Sequence, residues 1–380
     1  MANRIYLDYA ASTPLDPEVE EYMLPYLRAV GNPSSIHAAG RHLRAAIEEA
    51  RQVIAECIGA DPGQIVFTSG GTEADNHALR GAIETWNIRH ILYNPTEHHA
   101  VLHTIESLVQ SRGVQSHPIA VDSQGRIELD HLEELLRRYP RSMVTVMYAN
   151  NEIGTLQPVD QVSQMVRRYG GYYLCDTVQV MGLGWVNVRD WDVDFLAASA
   201  HKFYGPKGVG FLYRQRPIKS LITGGAQERE QRAGTENVAG IVGMAYALKK
   251  AYANRSSYEA HLRTIKSYLI NQLKAAFPEI IFHGDISEAG SHPGILNFRL
   301  PASLVNDLIL IQLDIEGVCA SGTSACSSGS AHPSHVLRAI GLSPEEATRT
   351  LRFSWGHGID YTHIDQAIEA VKKSTLSYSA

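Results

Sequence analysis

The sequence predicts an α/β protein in which a mostly parallel sheet is covered by helices. Short apolar runs that are typical of buried strands alternate with longer segments of helical apolar spacing, and glycines mark several of the transitions. The composition agrees with this class. A chain of 380 residues, 44% of them hydrophobic and 19% charged, has room for two domains and a sizeable core.

The larger part of the chain is expected to contain seven strands with helices between them. An extended start at 1–14 precedes two segments of helical spacing, at 17–29 and 37–58. The predicted strands lie at 65–67, 91–94, 114–118, 143–148, 172–175, 193–197 and 211–213. The predicted helices between them lie at 74–83, 98–112, 129–139 and 159–169.

A smaller α+β domain is expected at the carboxyl end. An apolar helix at 241–252 is followed by a second helical pattern at 258–276, and we place the boundary near residue 255. Residues 15–255 then form the large domain, while 1–14 and 256–380 form the small one. Its predicted strands lie at 295–300, 315–320 and 351–354, and its predicted helices at 304–313, 335–340 and 361–373.

Lys202 follows the apolar run 195–198, and Gly205, Gly208 and Gly210 come soon after it. A lysine held against a dry core has a lowered pKa, which makes its amine a nucleophile for an aldehyde and a base at neutral pH. Enzymes that use pyridoxal 5'-phosphate (PLP) need such a Schiff-base lysine. The alternative is a lysine that ends a strand with its ammonium in water, so the hypothesis depends on the rest of the chain.

A phosphate site is predicted at the turn after the strand at 65–67. The chain continues as Thr-Ser-Gly-Gly-Thr-Glu at 68–73 and then becomes helical, which leaves backbone amides and hydroxyls around Gly71 and Thr72 pointing at one positive spot. The turn is neither a Gly-x-Gly-x-x-Gly nor a Walker loop, which makes a dinucleotide or ATP less favoured. The alternative is a simple turn in which Thr72 caps the helix.

Other polar side chains also fall where predicted strands end, and ligands of parallel sheets bind beyond those ends. Asp176 could pair with the protonated pyridine nitrogen of PLP, and His98 could lie on the ring or exchange protons near it. Asn151 and Gln179 could bind the ring hydroxyl. The alternatives are a strand-end cap for Asp176, a turn at Asn151 and a helix-start polar residue at His98.

Two further residues suggest substrate chemistry. Cys326 lies in a segment without apolar periodicity, and a thiol on an exposed, mobile loop suits a nucleophile that visits a site and carries its product away. Cys57, Cys175 and Cys319 are expected in the core. Arg352 is a candidate clamp for a substrate carboxylate, or else a surface arginine. The glycine-rich, charged loop at 224–237 could be a solvated surface loop.

Composition argues against several other classes of function. The formal charge of −6 and a pI near 6.3 do not indicate a nucleic-acid surface. The amino terminus lacks a basic and apolar leader, and no apolar run approaches about 18 residues, so neither export nor membrane spanning is expected. Four cysteines without a Cys-x-x-Cys pair suggest a reducing cytoplasm, and no protein metal site is expected.

A set of motifs in a fixed order covers almost the whole chain and resembles the NifS/IscS-type cysteine desulfurases. The motifs are Tyr-Leu-Asp-Tyr-Ala-Ala-Ser-Thr-Pro (6–14), Gly-Asn-Pro-Ser-Ser (31–35), Thr-Ser-Gly-Gly-Thr-Glu (68–73), Thr-Glu-His (96–98), Asn-Asn-Glu-Ile-Gly (150–154), Ser-Ala-His-Lys (199–202), Ser-Ala-Cys (324–326) and Arg-Phe-Ser (352–354). The long spacing around the last cysteine resembles the group I branch.

The resemblance implies a fold and a set of residue roles. The fold would be PLP-dependent transferase fold type I, with a mostly parallel seven-stranded sheet and a smaller α+β domain, in a homodimer of the class V aminotransferase family. Lys202 would hold PLP, His98 would stack on it and Asp176 would face its nitrogen. Its phosphate would be bound by Gly71, Thr72, Ser199, His201 and Thr235 of the partner subunit. Asn151 and Gln179 would bind the ring oxygen, Arg352 and Asn32 the substrate carboxylate, and Cys326 the sulfur.

The implied reaction converts L-cysteine to L-alanine and leaves a persulfide on Cys326, for an acceptor such as an iron–sulfur scaffold, a sulfur-relay protein or the machinery of tRNA thiolation. One alternative is a related PLP enzyme, either a selenocysteine or cystine lyase or an aminotransferase, in which Cys326 would be dispensable. Another is a sulfur-relay protein without catalysis. Such a protein has no need of a buried lysine and carboxylate, which argues against it.

Overall fold

A computed structural model describes residues 4–304, 308–322 and 333–376. Strand β1 (Ile5–Tyr6) is followed by the helices α1 (Pro17–Arg28) and α2 (Ala38–Ile58). The elements that build the main sheet are β2 (Ile65–Thr68), α3 (Gly71–Trp86), β3 (His90–Tyr93), α4 (His99–Arg112), β4 (Gln115–Pro118), α5 (Leu129–Arg138), β5 (Met143–Thr145), α6 (Val159–Arg168), β6 (Tyr172–Asp176), α7 (Val188–Trp191), β7 (Phe195–Ser199) and β8 (Gly210–Arg214).

The remaining elements lie beyond one long helix, α8 (Val238–Ala276). They are β9 (Ile281–His283), β10 (Ile295–Arg299), α9 (Ile309–Ile315), β11 (Val318–Cys319), β12 (Ser321–Gly322), α10 (His335–Ala339), α11 (Pro344–Thr348), β13 (Thr350–Ser354) and α12 (Tyr361–Leu376). Strands β12, β13, β10 and β9 form an antiparallel sheet in that order, and β1 pairs in parallel with β11.

The main sheet has seven strands in the order β2-β8-β7-β6-β5-β3-β4. Strand β8 pairs antiparallel with both of its neighbours, and the other pairs are parallel. The carboxyl ends of β2, β6 and β7 therefore lie on one edge of the sheet. Apolar side chains on both faces are buried against helices, which explains why these strands read as continuous apolar runs. The predicted α/β class is confirmed.

Helix α8 differs from the prediction, which divided it into two helices. Its buried residues run from Ala239 to Ala251 and from Leu262 to Leu273. The first group packs in the core around the main sheet and the second in the core around the smaller sheet. The section between the two groups is polar because it crosses from one core to the other and packs against neither. Its backbone is nevertheless helical, so the interruption of the apolar pattern did not mark a helix end. The predicted domain boundary at 255 falls in this section, and the division into domains stays a prediction.

Smaller differences concern strand lengths near the site. The strand predicted at 143–148 ends at Thr145, although Val146 N and Tyr148 N still donate to Leu174 O and Asp176 O at 3.3 and 2.9 Å. Of the strand predicted at 315–320, only Val318–Cys319 is a strand, β11, because Ile315 is still the last residue of α9. Gly317 separates α9 from β11 with a φ of 84°, a conformation that favours glycine.

Candidate active site

A cavity of about 600 Å³ lies at the carboxyl ends of β6 and β7 and at the amino end of α3. Most of the predicted site residues line it. They are Gly71, Thr72, His98, Asn151, Asp176, Gln179, Ser199, His201, Lys202 and Arg352. The fold brings these residues together from positions up to 281 residues apart in the chain, between Gly71 near the main sheet and Arg352 in the smaller one. The polar residues that were expected at the strand ends therefore lie close together in space.

Lys202 ends a single short turn, Ala200–Lys202, that follows β7 directly. The side chain is half-buried, and its Nζ donates to Ala10 O and, at 3.0 Å, to Ala11 O. Gly205 is required behind this turn because a Cβ there would lie 2.9 Å from Ala200 O. The amino-terminal segment thus holds the ammonium through backbone carbonyls and aims it into the cavity.

The predicted phosphate turn forms the amino end of the 16-residue helix α3. Gly70 is the N-cap, with a φ of 157° and no side-chain cap, so the alternative in which Thr72 caps the helix is wrong. A Cβ on Gly71 would lie 2.7 Å from Val178 Cγ2, so only glycine fits this close approach. The free amides of the first turn and the helix dipole make this corner attractive to an anion.

Asp176 is the last residue of β6 and is buried. Its Oδ1 accepts a hydrogen bond of 2.8 Å from Val178 N, so the cap considered as an alternative is present as well. Burial raises the pKa of Asp176 to about 6, against the opposing effects of the Val178 amide and the positive charge of Lys202. The carboxylate of Asp176 therefore has the Val178 amide and the charge of Lys202 as neighbours, and it lines the cavity where a further cation could bind.

His98 is the N-cap of α4, and its Nδ1 accepts a hydrogen bond of 3.1 Å from Ala100 N. Burial lowers the pKa of His98 to about 4, and the charge of Lys202 acts in the same direction. The ring is therefore neutral, and because Nδ1 is the acceptor its proton sits on Nε2. The capping role considered as an alternative is therefore present, and it leaves the Nε2–H of this cavity-lining ring without a part in the cap.

Arg352 lies in β13 and is only 3% exposed, so the alternative of a surface arginine is wrong. It donates from Nη1 to Asn151 O at 2.9 Å and from Nη2 to Asp8 Oδ1 at 2.6 Å. Its buried Nε has no hydrogen-bond partner among the described residues. Arg352 lines the cavity, so its guanidinium is a buried cation beside the space in which a carboxylate could bind. Asp8 was missed as a site residue, although it belongs to the first quoted motif.

Gln179 connects the cavity to the small sheet. Its Nε2 donates to Ala10 O at 3.0 Å, the same carbonyl that accepts from Lys202, and its backbone O is 3.1 Å from His292 Nε2. A second cavity of about 60 Å³ lies behind Lys202, lined partly by Gln179, His292 and Trp355. Lys202 therefore lines both cavities, and two backbone carbonyls of the amino-terminal segment are among its partners.

Three predicted residues are not among those that line the cavity. Asn32 is exposed, and its Oδ1 accepts from Ser34 N at 2.9 Å. Thr235 is exposed and lines a separate cavity of about 150 Å³ together with Ser69 and Gly208. Cys326 lies outside the described residues. The roles of these three residues stay predictions.

The other cysteines divide by burial. Cys175 is fully buried as expected, whereas Cys57 and Cys319 are only half-buried. Cys57 still packs against the core, and burial raises the pKa of its thiol to about 11. A thiol that keeps its proton at neutral pH is a poor nucleophile. Cys57 is therefore suited to packing.

The loop at 224–237 is mostly exposed, in agreement with the alternative of a surface loop, but buried charges hold it to the protein. Glu228 is 3% exposed and accepts from Arg51 Nη1 and Nη2, both at 2.8 Å, and from Phe67 N at 2.9 Å. Arg232 pairs with Glu73 at 2.8 Å, beside the phosphate turn. Sequence reasoning missed these pairs because the partners are far apart in the chain.

Comparison with known proteins adds the family. The profile "Aminotransferase class-V" matches residues 5–366. The chain belongs to the class V aminotransferase family. The cysteine desulfurase IscS of Dictyoglomus turgidum is 44% identical over 365 residues, which cover 94% of this chain and 90% of that protein. The predicted family is thereby confirmed.

Solved structures of this family share the fold. A NifS-like protein superposes with a TM-score of 0.90 at 32% identity, covering 99% of this chain and 100% of that one. A structure described as SspA in complex with cysteine has a TM-score of 0.79 at 31% identity, with 93% and 99% covered. The predicted fold type I architecture is confirmed by these likenesses together with the observed sheet.

Within the described ranges, no helix combines the length and apolar character needed to cross a membrane. Over the same part of the chain, histidine, cysteine and carboxylate side chains do not gather into a group of three or more that could hold a metal ion.

Proposed function

We propose that this protein is a PLP-dependent cysteine desulfurase that converts L-cysteine to L-alanine and retains the sulfur on Cys326. The observation that carries the proposal is the single cavity in which Lys202, Asp176 and the amino end of α3 meet. Relatives named cysteine desulfurase, which align with nearly all of the chain, support the same activity.

The residues around the cavity fit PLP. The cofactor carries a phosphate dianion at one end and a basic ring nitrogen at the other, with an aldehyde between them. The amino end of α3, with Ser199 and His201 beside it, offers donors to the phosphate. Asp176 offers a buried carboxylate to the protonated nitrogen, and Lys202 offers an amine to the aldehyde. When bound, PLP would supply an electron sink for the carbon next to the substrate amine.

Each remaining residue has a task that follows from its environment. His98, neutral with its proton on Nε2, would face the ring and donate to it or to the substrate. Asn151 and Gln179 would lie on the side of the ring oxygen. Lys202, once released from the cofactor, would move the α proton of cysteine. Ala10 O and Ala11 O would hold its Nζ close to that carbon.

Arg352 would bind the substrate carboxylate, because it is a buried cation that lines the cavity. Asn32 does not line this cavity, so it could assist Arg352 only in the cavity of the partner subunit of a homodimer. Sulfur transfer would break the carbon–sulfur bond of cysteine and join its sulfur to the thiolate of Cys326. Cysteine without one sulfur atom is alanine, so the step needs no outside oxidant or reductant.

The quaternary structure and the acceptor are also part of the proposal. A homodimer would place Thr235 of the partner subunit at the phosphate. The exposed apolar side chains of Leu27, Val30 and Ile36, with exposed fractions of 63%, 87% and 90%, support such an association. The persulfide would then pass to an iron–sulfur scaffold, a sulfur-relay protein or tRNA thiolation, in a reducing cytoplasm.

The direct test compares products and cofactor attachment. Purified protein incubated with L-cysteine and a thiol reductant should release sulfide and alanine in equal amounts. Cys326→Ser should keep the PLP absorbance and lose sulfide release, whereas Cys57→Ser, the matched control, should keep both. Sulfide release that is unchanged in Cys326→Ser would refute the role of Cys326.

The same samples separate the alternatives. Borohydride reduction followed by peptide mass analysis should find the cofactor on the peptide that contains Lys202. Pyruvate and ammonia as products would indicate a lyase, and exchange with a keto acid would indicate an aminotransferase. A protein that binds no cofactor would indicate a sulfur relay without catalysis.

A further inference from the structure

Three buried carboxyl groups interact with one another at the floor of the cavity, where two of them, Asp75 and Asp176, belong to its lining and the third, Glu97, lies outside it. Asp75 in α3 and Glu97 just before α4 are each 1% exposed, and Asp176 at the end of β6 is 6% exposed. Asp75 lies three residues after Thr72, on the helix that begins at the phosphate turn, and it lines the same cavity as Asp176. Sequence reasoning assigned a task to Asp176 from its place at a strand end, and it gave none to Asp75 or to Glu97, although Glu97 belongs to the quoted motif at 96–98.

The three groups differ in how their oxygens are satisfied. Asp176 accepts from Val178 N at 2.8 Å and has Lys202 as a neighbouring positive charge. Glu97 accepts from Met147 N at 2.6 Å through Oε1, but its Oε2 is buried without a partner. Asp75 Oδ1 is also buried without a partner. Among the described residues, no cation lowers the pKa of Asp75 or Glu97.

An unpaired carboxylate in a dry interior is so costly that the group takes up a proton instead. We propose that Asp75 and Glu97 are uncharged positioning residues, which confine the negative charge at the floor of the cavity to Asp176. The hydroxyl of each protonated carboxyl can then donate a hydrogen bond, which a carboxylate cannot do.

The direction of each pKa agrees with this assignment. Burial raises the pKa of Asp75 and of Glu97 well above the ordinary values, and the negative charge of Asp176 adds to both effects. The pKa of Asp176 itself rises only to about 6, because the Val178 amide and the charge of Lys202 counteract the effect of burial. The other titratable groups that face the cluster, Cys175 and Tyr173, have their pKa raised by burial and stay neutral.

The consequence for the site rests on the proposed function. A single negative charge at the floor of the cavity balances the single positive charge of one protonated ring nitrogen. With two or three charges in contact, the carboxylates would repel each other, and Asp176 would itself take up a proton and lose its ionic contact with the ring. Asp75 would thus act through Asp176, and so would Glu97.

The test measures proton uptake through stability, with full-length protein as purified. Asp75→Asn and Glu97→Gln replace each acid by a neutral group of the same shape. If the acids are protonated only in the folded state, the wild-type unfolding constant rises relative to that of each variant by about tenfold per pH unit between about pH 5 and pH 7. Asp130→Asn and Glu134→Gln, two exposed positions on α5, are the matched controls and should leave the ratio flat.

A flat ratio for both buried positions would overturn the proposal, because it means that the acids have lost their protons in the folded state. Infrared spectra of wild-type protein with carbon-13-labelled aspartate provide a second readout that needs no variant to fold. We expect a protonated carboxyl band at neutral pH, and its absence would refute the assignment of Asp75. Neither readout depends on desulfurase activity, so a failure of the proposed function stays distinguishable.

Discussion

The buried ion pair between Arg51 and Glu228 leads to the sharpest stability prediction. Both side chains are at most 3% exposed, and Glu228 accepts two hydrogen bonds of 2.8 Å from the guanidinium and one of 2.9 Å from Phe67 N. Arg51→Met keeps most of the volume but leaves the carboxylate of Glu228 buried without a counter-charge. Removal of one partner of a buried pair costs about 3–5 kcal/mol of the free energy of unfolding.

The same pair also holds a strained stretch of backbone in place. Glu228, Arg229 and Glu230 have φ values of 46°, 57° and 65°, in the left-handed region that side chains disfavour. Each such residue stores of order 1 kcal/mol, which the anchored carboxylate must offset. We therefore expect Arg51→Met to lose about 3–5 kcal/mol, a large share of a typical total of about 5–15 kcal/mol.

The assay is urea unfolding followed by circular dichroism, with two comparison variants. Arg229, in the same loop as Glu228, forms an ion pair of 3.0 Å with Glu48 of α2, and the two side chains are 48% and 34% exposed. Arg229→Ala removes this exposed pair and should cost no more than about 1 kcal/mol of the free energy of unfolding. The double variant Arg51→Met with Glu228→Gln should recover most of the loss, since it removes both charges. A single variant that costs under about 1 kcal/mol, or a double variant no better than the single, would refute the reasoning.

Three further predictions concern the site and the assembly. Arg352→Lys should raise the Michaelis constant for cysteine by about tenfold or more, because one ammonium cannot hold Asn151 O and a substrate carboxylate together. Steady-state sulfide release measures this constant, and an unchanged value would count against Arg352 as the residue that binds the substrate carboxylate. Glu152→Gln should make stability less dependent on pH. Burial raises the pKa of Glu152 to about 7, so the folded wild type loses stability as the pH rises from the carboxyl pKa of the unfolded chain to about 7. Urea unfolding at several pH values should therefore show a shallower decline in the variant. Val30→Asp should dissociate the proposed homodimer, which light scattering measures, and a variant that stays dimeric would exclude this surface from the interface.

Much of the fold could be predicted from local pattern. The strands of the main sheet are buried on both faces, so their apolar runs were visible, and the predicted cluster at the strand ends is present. The prediction failed where tertiary packing overrides local pattern. Helix α8 stays helical across an exposed polar section because cores at both ends hold it, and β9 and α11, which are three and five residues long, were missed.

The sequence by itself determined the residue types at the site and the family, because Schiff-base chemistry, phosphate binding and carboxylate pairing each require particular side chains in a particular order. Only the tertiary structure decided the protonation and pairing of those groups. The burial of Asp75 and Glu97, the cap that places the proton of His98 on Nε2, and the contact of Arg352 with Asp8 all depend on which distant segments meet. Charge and proton affinity are set by surroundings in space, and no local stretch of sequence contains them.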